Sequence, residues 1–349
     1  MRHGSSRPRE RSSAFERVSG PIGFAVNPAS GKDVRRLVAR ASVFDNQEKC
    51  AIVRRAIVGA LGAGATRFAY VPDTHRIAAA AFAELGLDAQ PLESSQSGSA
   101  LDTTIGAAAC KAAGCAVAIT LGGDGTNRAF VKGWRDAPLL PISTGTNNVF
   151  PRLVEATVAG AAAGLIASER VALDECARAA KWLRVEIDGE DDDLALIDVV
   201  LSAERFVGAR ALLEPDALRV AVLTRADPAG VGMTAIGGLL MPLATDAPGG
   251  IAVDLGYGDR LLRAPLAPGL YRTVRVGAVR KLALGEAIDV LGPGVLAFDG
   301  ERERSLRPGQ HARIVLERDG PRVVDVARAL ALGACRGAFL TSEEIGDGD

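Results

Sequence analysis

The sequence predicts an α/β protein, with a parallel-sheet, Rossmann-like α/β domain followed by a β-rich sandwich domain. Three observations predict it. Over residues 21–168 short apolar runs alternate with helical ones, the pattern of βαβ crossovers and a mostly parallel sheet. After about residue 181 strand-like runs follow one another with few helices between them, as in an antiparallel sheet or sandwich. A chain of 349 residues also exceeds what one domain usually holds.

The elements follow in order. Residues 22–26 read as a strand, 33–40 and 47–61 as helices, 67–71 as a strand and 77–85 as a helix. A third strand spans 87–92, an Ala-rich helix 100–113 and a fourth strand 115–121. A helix begins over 127–132, a fifth strand covers 139–143, and a long helix runs over 148–168. These strands are unbroken apolar runs, as expected where helices cover both faces. Beyond them, 182–187, 195–201, 218–223, 251–254, 274–276, 295–298 and 312–316 read as strands separated by Gly, Pro and Asp turns. The stretch 324–339 reads as a helix that packs back on the first domain. The expected division is a disordered tail at 1–20, the α/β domain at 21–180, the sandwich at 181–323 and a returning helix and tail at 324–349.

Composition narrows the function. Lys plus Arg number 41 against 42 Asp plus Glu, a net charge of −1, which argues against nucleic-acid or membrane-surface partners. Hydrophobic residues at 48% exclude wholesale disorder. Five scattered cysteines and three histidines suit neither a zinc site nor a disulfide scaffold. A reducing, cytoplasmic location is expected. The Arg- and Ser-rich start lacks the apolar core of a signal peptide, and the uncharged run 156–167 is too short to span a bilayer.

Chemistry concentrates in three loops, each following a first-domain strand and entering a helix. The first holds Asn27, Ser30 and Gly31; the second Gly122, Gly123, Asp124, Gly125, Thr126 and Asn127; the third Thr144, Gly145, Thr146 and Asn147. In an open parallel sheet these strand ends share one edge, where ligands bind. Glycine-rich backbone and helix N-termini cradle phosphates without needing a basic side chain. NPASG and TGTNN are each also compatible with ordinary turns and helix caps; GGDGT after a buried strand is the sharper signal. Ser30-Gly31-Lys32-Asp33 is not a P-loop, and Arg128 breaks a GxGxxG reading of the second loop. The expected reaction is phosphoryl transfer. Asp124 is the carboxylate of the cradle, where it accepts the proton of an attacking hydroxyl or holds Mg²⁺.

The second half adds acceptor-side candidates. Gly230–Ala235 matches GxGxxA but lies in the β-rich half, and reads as a substrate loop carrying Gly232 and Thr234. Asp299, Gly300 and Glu301 follow an apolar strand, as a binding feature or as a hairpin turn. His75 follows the second strand and reaches the same edge or solvent; His311 reads as structural. Glu190-Asp191-Asp192-Asp193 reads as a solvated hairpin tip rather than a metal site.

NPASG, GGDGTN, STGTNN and FDGE, in this order, resemble the superfamily joining ATP–NAD kinases with diacylglycerol and sphingosine kinases. The resemblance covers about residues 22–322. The longer NPASGKDVRRLVARASVFDNQEK, with ERFVGARAL at 204–212, is similar to the acetoin-catabolism protein X branch. It implies Mg-ATP as phosphoryl donor, Asp124 as the catalytic aspartate, the glycine loops as nucleotide-phosphate sites, and a homo-oligomer. Asp198 matches an acid with which NAD kinases grip the dinucleotide, but Ile197 replaces the neighbouring amide and Ile236 a tyrosine. That loss of polar recognition keeps three readings open. They are phosphorylation of NAD or a related nucleotide, phosphorylation of another hydroxyl compound such as a lipid or small catabolic metabolite, and a non-catalytic nucleotide-binding regulator.

Overall fold

Residue runs that alternate between buried strand and half-buried helix produce the expected crossovers in a computed structural model, which describes residues 19–31, 45–145, 147–204 and 214–340. The expected tail to residue 18, the helix at 33–40 and most of ERFVGARAL lie outside the described residues. In chain order the first part carries β1 (Ile22–Val26), α1 (Asn46–Gly62), β2 (Phe68–Tyr70), α2 (Ile77–Glu84), β3 (Gln90–Pro91) and α3 (Ala100–Ala112). Then come β4 (Val117–Gly122), α4 (Asp124–Gly133), β5 (Pro138–Ser143), α5 (Ala156–Ala167), α6 (Leu173–Cys176) and β6 (Ala177–Ala179). The second part carries β7 (Trp182–Ile187), β8 (Asp193–Ala195), β9 (Asp198–Ser202), β10 (Leu218–Leu223), α7 (Met233–Leu240), β11 (Gly250–Ala267) and β12 (Leu270–Leu282). It ends with β13 (Ala287–Leu291), β14 (Gly294–Phe298), β15 (Glu301–Leu306), β16 (His311–Glu317), β17 (Arg322–Val324) and α8 (Val326–Cys335).

Among the described residues these strands form three sheets. The first runs β3-β2-β1-β4-β5-β17-β6, parallel from β3 to β17 with β6 antiparallel at its edge. Ile52, Ala56, Phe82, Ala163 and Ala329 pack α1, α2, α5 and α8 on one face, and Ala107, Phe130 and Val131 pack α3 and α4 on the other. The remaining sheets, β12-β11-β10-β9-β14-β15 and β13-β16-β7-β8, are antiparallel. Leu183, Val185 and Leu316 of one meet Val199, Leu296 and Phe298 of the other, which makes a sandwich.

Several elements differ from expectation for visible reasons. The helix expected at 148–168 begins at Ala156, because Pro151 intervenes and the backbone N–H groups of Val149 and Phe150 are taken by Asp124. The strand expected at 195–201 splits into β8 and β9 in different sheets, broken where Leu196 and Ile197 donate to Asp299. The strand expected at 87–92 shrinks to Gln90–Pro91. The second half of the glycine loop expected at 230–235 is helix, since α7 starts right after Gly232. Short apolar runs at 251–254 and 274–276 are pieces of one long β11–β12 hairpin. Finally, β17 joins the first sheet, so the boundary expected at 323 falls inside a strand of the first domain.

Candidate active site

β1, β4 and β5 lie side by side, so the three loops that leave them share one edge. Since β2 and β3 extend from the other side of β1, the first two loops flank the point where strand order reverses, the usual ligand crevice of such sheets. Here a cleft of about 760 Å³ opens between the two domains. Side chains tie the loops together. Asn27 Nδ2 donates to Thr126 Oγ1 at 2.8 Å, and Thr144 Oγ1 donates to Ser30 Oγ at 3.0 Å. Ser30 Oγ in turn donates to the Asn27 carbonyl at 2.8 Å. A Cβ at Gly122 would stand 2.4 Å from Thr126 Oγ1, so this turn admits no side chain there.

Asp124 opens α4 and spends its carboxylate on the third loop's far end. It accepts the Val149 N–H at 3.0 and 3.1 Å and the Phe150 N–H at 2.8 Å. Behind it lies the buried Arg225, which donates to the Val149 carbonyl at 3.4 Å with its guanidinium 5.4 Å from the Phe150 ring. Burial pulls the Arg225 pKa down to about 10 against the opposing charges of Asp124 and Asp299.

The second domain closes the cleft with Asp299. Its carboxylate accepts N–H groups of Leu196, Ile197 and Asp198 at 2.8–3.2 Å. Burial raises its pKa, in spite of the lowering by Arg128 and those N–H donors. Asp299 and Gly300 both have positive φ, 51° and 84°, as a two-residue type I′ hairpin between β14 and β15 requires. The turn delivers Glu301 to the α4 N-terminus, where a Cβ on Gly125 would lie 3.2 Å from Glu301 Oε1.

Of the residues expected in the site, the cleft is lined by Asn27, Ser30, Gly31, Gly123, Asp124, Gly125 and Thr126, by Thr144, Gly145 and Asn147, and by Asp198, Gly232, Thr234, Asp299, Gly300 and Glu301. His75 also lines it. Gly122 and Asn127 do not. The Asn127 amide donates to the Gly123 carbonyl at 2.8 Å and accepts from Thr120 Oγ1 at 2.7 Å, which ties α4 to β4. Thr146 lies outside the described residues. The acidic tip divides: Glu190, Asp191 and Asp192 are exposed, but the Asp193 side chain is only 1% exposed and pairs with Arg128, Lys132 and Arg304. Among the described residues no group of three or more His, Cys, Asp or Glu side chains converges on a metal position, and no helix is long and apolar enough to cross a membrane.

Sequence reading missed part of the wall. Ser99, Asp102 and Thr103 line the cleft from the start of α3; the SSQSGS run before that helix carried the signal. Leu266, Ala267 and Pro268 reach it from the end of β11, a position only the hairpin's length determines. Lys49, wholly buried behind the first loop, has no sequence signal at all.

Comparison with known proteins places this architecture. Residues 22–170 match the ATP-NAD kinase N-terminal domain, and residues 181–319 the acetoin catabolism protein X C-terminal domain. Acetoin catabolism protein X of Cupriavidus necator is 35% identical over 334 residues, spanning 91% of this chain and 93% of that protein. The chain belongs to the acetoin catabolism protein X family. It is a kinase-type phosphotransferase by its N-terminal domain. Looser likenesses extend to yeast NADH kinase complexed with NADH (14% identity, TM-score 0.49, 90% of this chain and 87% of that one). A diacylglycerol kinase from Bacillus anthracis is similar at 17% identity and TM-score 0.44, over 87% of this chain and 96% of that one.

Proposed function

We propose that the protein transfers a phosphoryl group from Mg-ATP to a hydroxyl of NAD or a related nucleotide. The observation that supports it most is the interlocked set of three strand-end loops around the α4 N-terminus, with Asp124 among them and Glu301 facing it. Glycine backbone and a helix N-terminus suit the phosphates. Mg²⁺ keeps several waters and phosphate oxygens as ligands, so one or two carboxylates suffice from the protein. Asp124 and Glu301 are the pair that would hold it, and the ion would supply charge neutralisation at the transferring group. The acceptor hydroxyl oxygen attacks the γ-phosphorus as the bond to ADP breaks, and a cleft carboxylate takes the hydroxyl proton. Asp198, Thr234 and the 299–301 turn would contact the acceptor. Homo-oligomerisation belongs to the same proposal; Tyr257, Leu261 and Tyr271 on the β11–β12 hairpin are exposed and offer it apolar surface, and light scattering measures it.

A second reading, another hydroxyl compound as acceptor, is favoured by Ile197 and Ile236. Both are 1% exposed and packed in hydrophobic clusters, so neither offers a polar contact to a dinucleotide. Thermal shift with calorimetry separates the readings, using ATP-Mg, ADP, NAD and NADP one at a time. A ligand at a hundred times its Kd stabilises by about 2.7 kcal/mol. Stabilisation by both ATP-Mg and NAD, followed by NADP formation, supports the first; ATP-Mg alone supports the second. Binding without turnover on any acceptor would leave a nucleotide-binding regulator.

A further inference from the structure

Lys49 stands in the first turn of α1 and is fully buried. Its ammonium donates to the carbonyls of Asn27 at 3.1 Å, Pro28 at 2.8 Å and Ser30 at 2.7 Å, and contacts Asn46 Oδ1 at 3.2 Å. The whole loop from Asn27 to Gly31 lines the cleft, whereas Lys49 does not. The ammonium is therefore behind the loop, on the side away from any ligand.

Burying a lysine is costly unless its three protons are all used. Here three carbonyls of a five-residue loop converge on one cation. Carbonyl oxygens carry the negative end of the peptide dipole, and facing a phosphate they would repel it. Gathered on Lys49 they face inward. The same loop passes its order on to the rest of the cradle, through Asn27 to Thr126 and through Ser30 to Thr144.

We infer that Lys49 is a positioning residue for phosphate binding, one that turns the carbonyls of the Asn27–Ser30 segment away from the cleft and makes the loop fit for an anion. The inference rests on the phosphate-cradle reading above and adds to it a residue outside the cleft that controls nucleotide affinity.

Calorimetry on the full chain tests it with ATP-Mg, ADP and pyrophosphate as probes. Lys49→Met is expected to weaken all three by about tenfold or more, the loss of a charge-assisted contact. Because that variant leaves carbonyls buried without a donor and is liable to unfold, Asn46→Asp is the second. It offers the ammonium a carboxylate in place of an amide oxygen and loosens its hold on the loop, while an acid in a helix's first turn favours the helix. Asn46→Asp should weaken the three probes by about tenfold at an unchanged Tm. Gln47→Asp adds the same charge on the exposed side of α1 and should leave the affinities within about twofold. Unchanged affinity in Asn46→Asp, or in a folded Lys49→Met, overturns the inference. Equal weakening in Gln47→Asp also overturns it, as a general charge effect. A wild-type protein that binds none of the probes overturns the cradle reading as well. One that binds them and is indifferent to Asn46→Asp overturns this inference alone.

Discussion

Substitution can separate the capping by Asp124 from the chemistry proposed for it. Its oxygens cap Val149 and Phe150, so Asp124→Ala strands two backbone N–H groups and should cost about 2 kcal/mol. Asp124→Asn keeps an acceptor oxygen but loses the charge. Turnover should vanish while the melting profile stays close to wild type; an active Asp124→Asn enzyme would remove this carboxylate from the chemistry. Asp193 supplies a pH prediction. Burial pushes its carboxyl up, but Arg128, and then Lys132 and the Leu194 N–H, outweigh that and hold it at about 2, below the ordinary 3.8. A depressed carboxylate stabilises the fold above its unfolded pKa and loses that contribution as pH falls through the folded one. About 2 kcal/mol should therefore disappear between pH 4 and pH 2. Urea titrations across that range check it, and Asp193→Asn should flatten the slope.

At the scale of elements, the glycines of α1 and α5 are explained by how closely the two helices approach. A Cβ on Gly59 would lie 1.9 Å from the Thr157 carbonyl, and one on Gly160 1.9 Å from the Ala56 carbonyl. α1 and α5 thus touch backbone to backbone, and no rotamer relieves an added methyl. Gly160→Ala should destabilise by about 3 kcal/mol, even though alanine is the better helix former; a Tm at or above wild type would show that the helices can separate. This crossing also sets where α1 places Lys49, so nucleotide affinity should fall with it. The end of α5 is held in turn by α8, where Gly333 faces Leu165.

Two buried arginines and one returning strand make the molecule a single unit. Arg128, one turn along α4 from Asp124, donates to the Leu194 carbonyl at 2.6 Å and to Asp193 at 2.9 Å, and stacks 4.6 Å from the Phe298 ring. Arg225 reaches the opposite way, to Val149. β17 and α8, which follow the sandwich strands in the chain, complete the first domain. Calorimetry should show one unfolding transition. Arg128→Met, which leaves Asp193 short of its buried partner, should lower stability by about 3 kcal/mol and broaden or split the peak. Two separated peaks in the wild type would contradict this coupling.

Much of this was legible in the chain, because it is local. Unbroken apolar runs mark β1, β4 and β5 and an Ala-rich run marks α3, and the residues leaving β1, β4 and β5 advertise turns and helix N-termini within five or six positions. Asp124 could be singled out for that reason. What the sequence could not show is which polar groups spend themselves on the protein. Asp193 reads as a solvated tip until Arg128, 65 residues away, is folded against it. Asp299 reads as a turn or a ligand contact until it meets the N–H of Leu196, 103 residues distant. Lys49 resembles any surface lysine until three carbonyls close over it. Turn chemistry and hydrophobic period act between neighbours and are written in the order of residues. Burial and charge pairing depend on segments brought together across the two domains, and only the tertiary structure decided them.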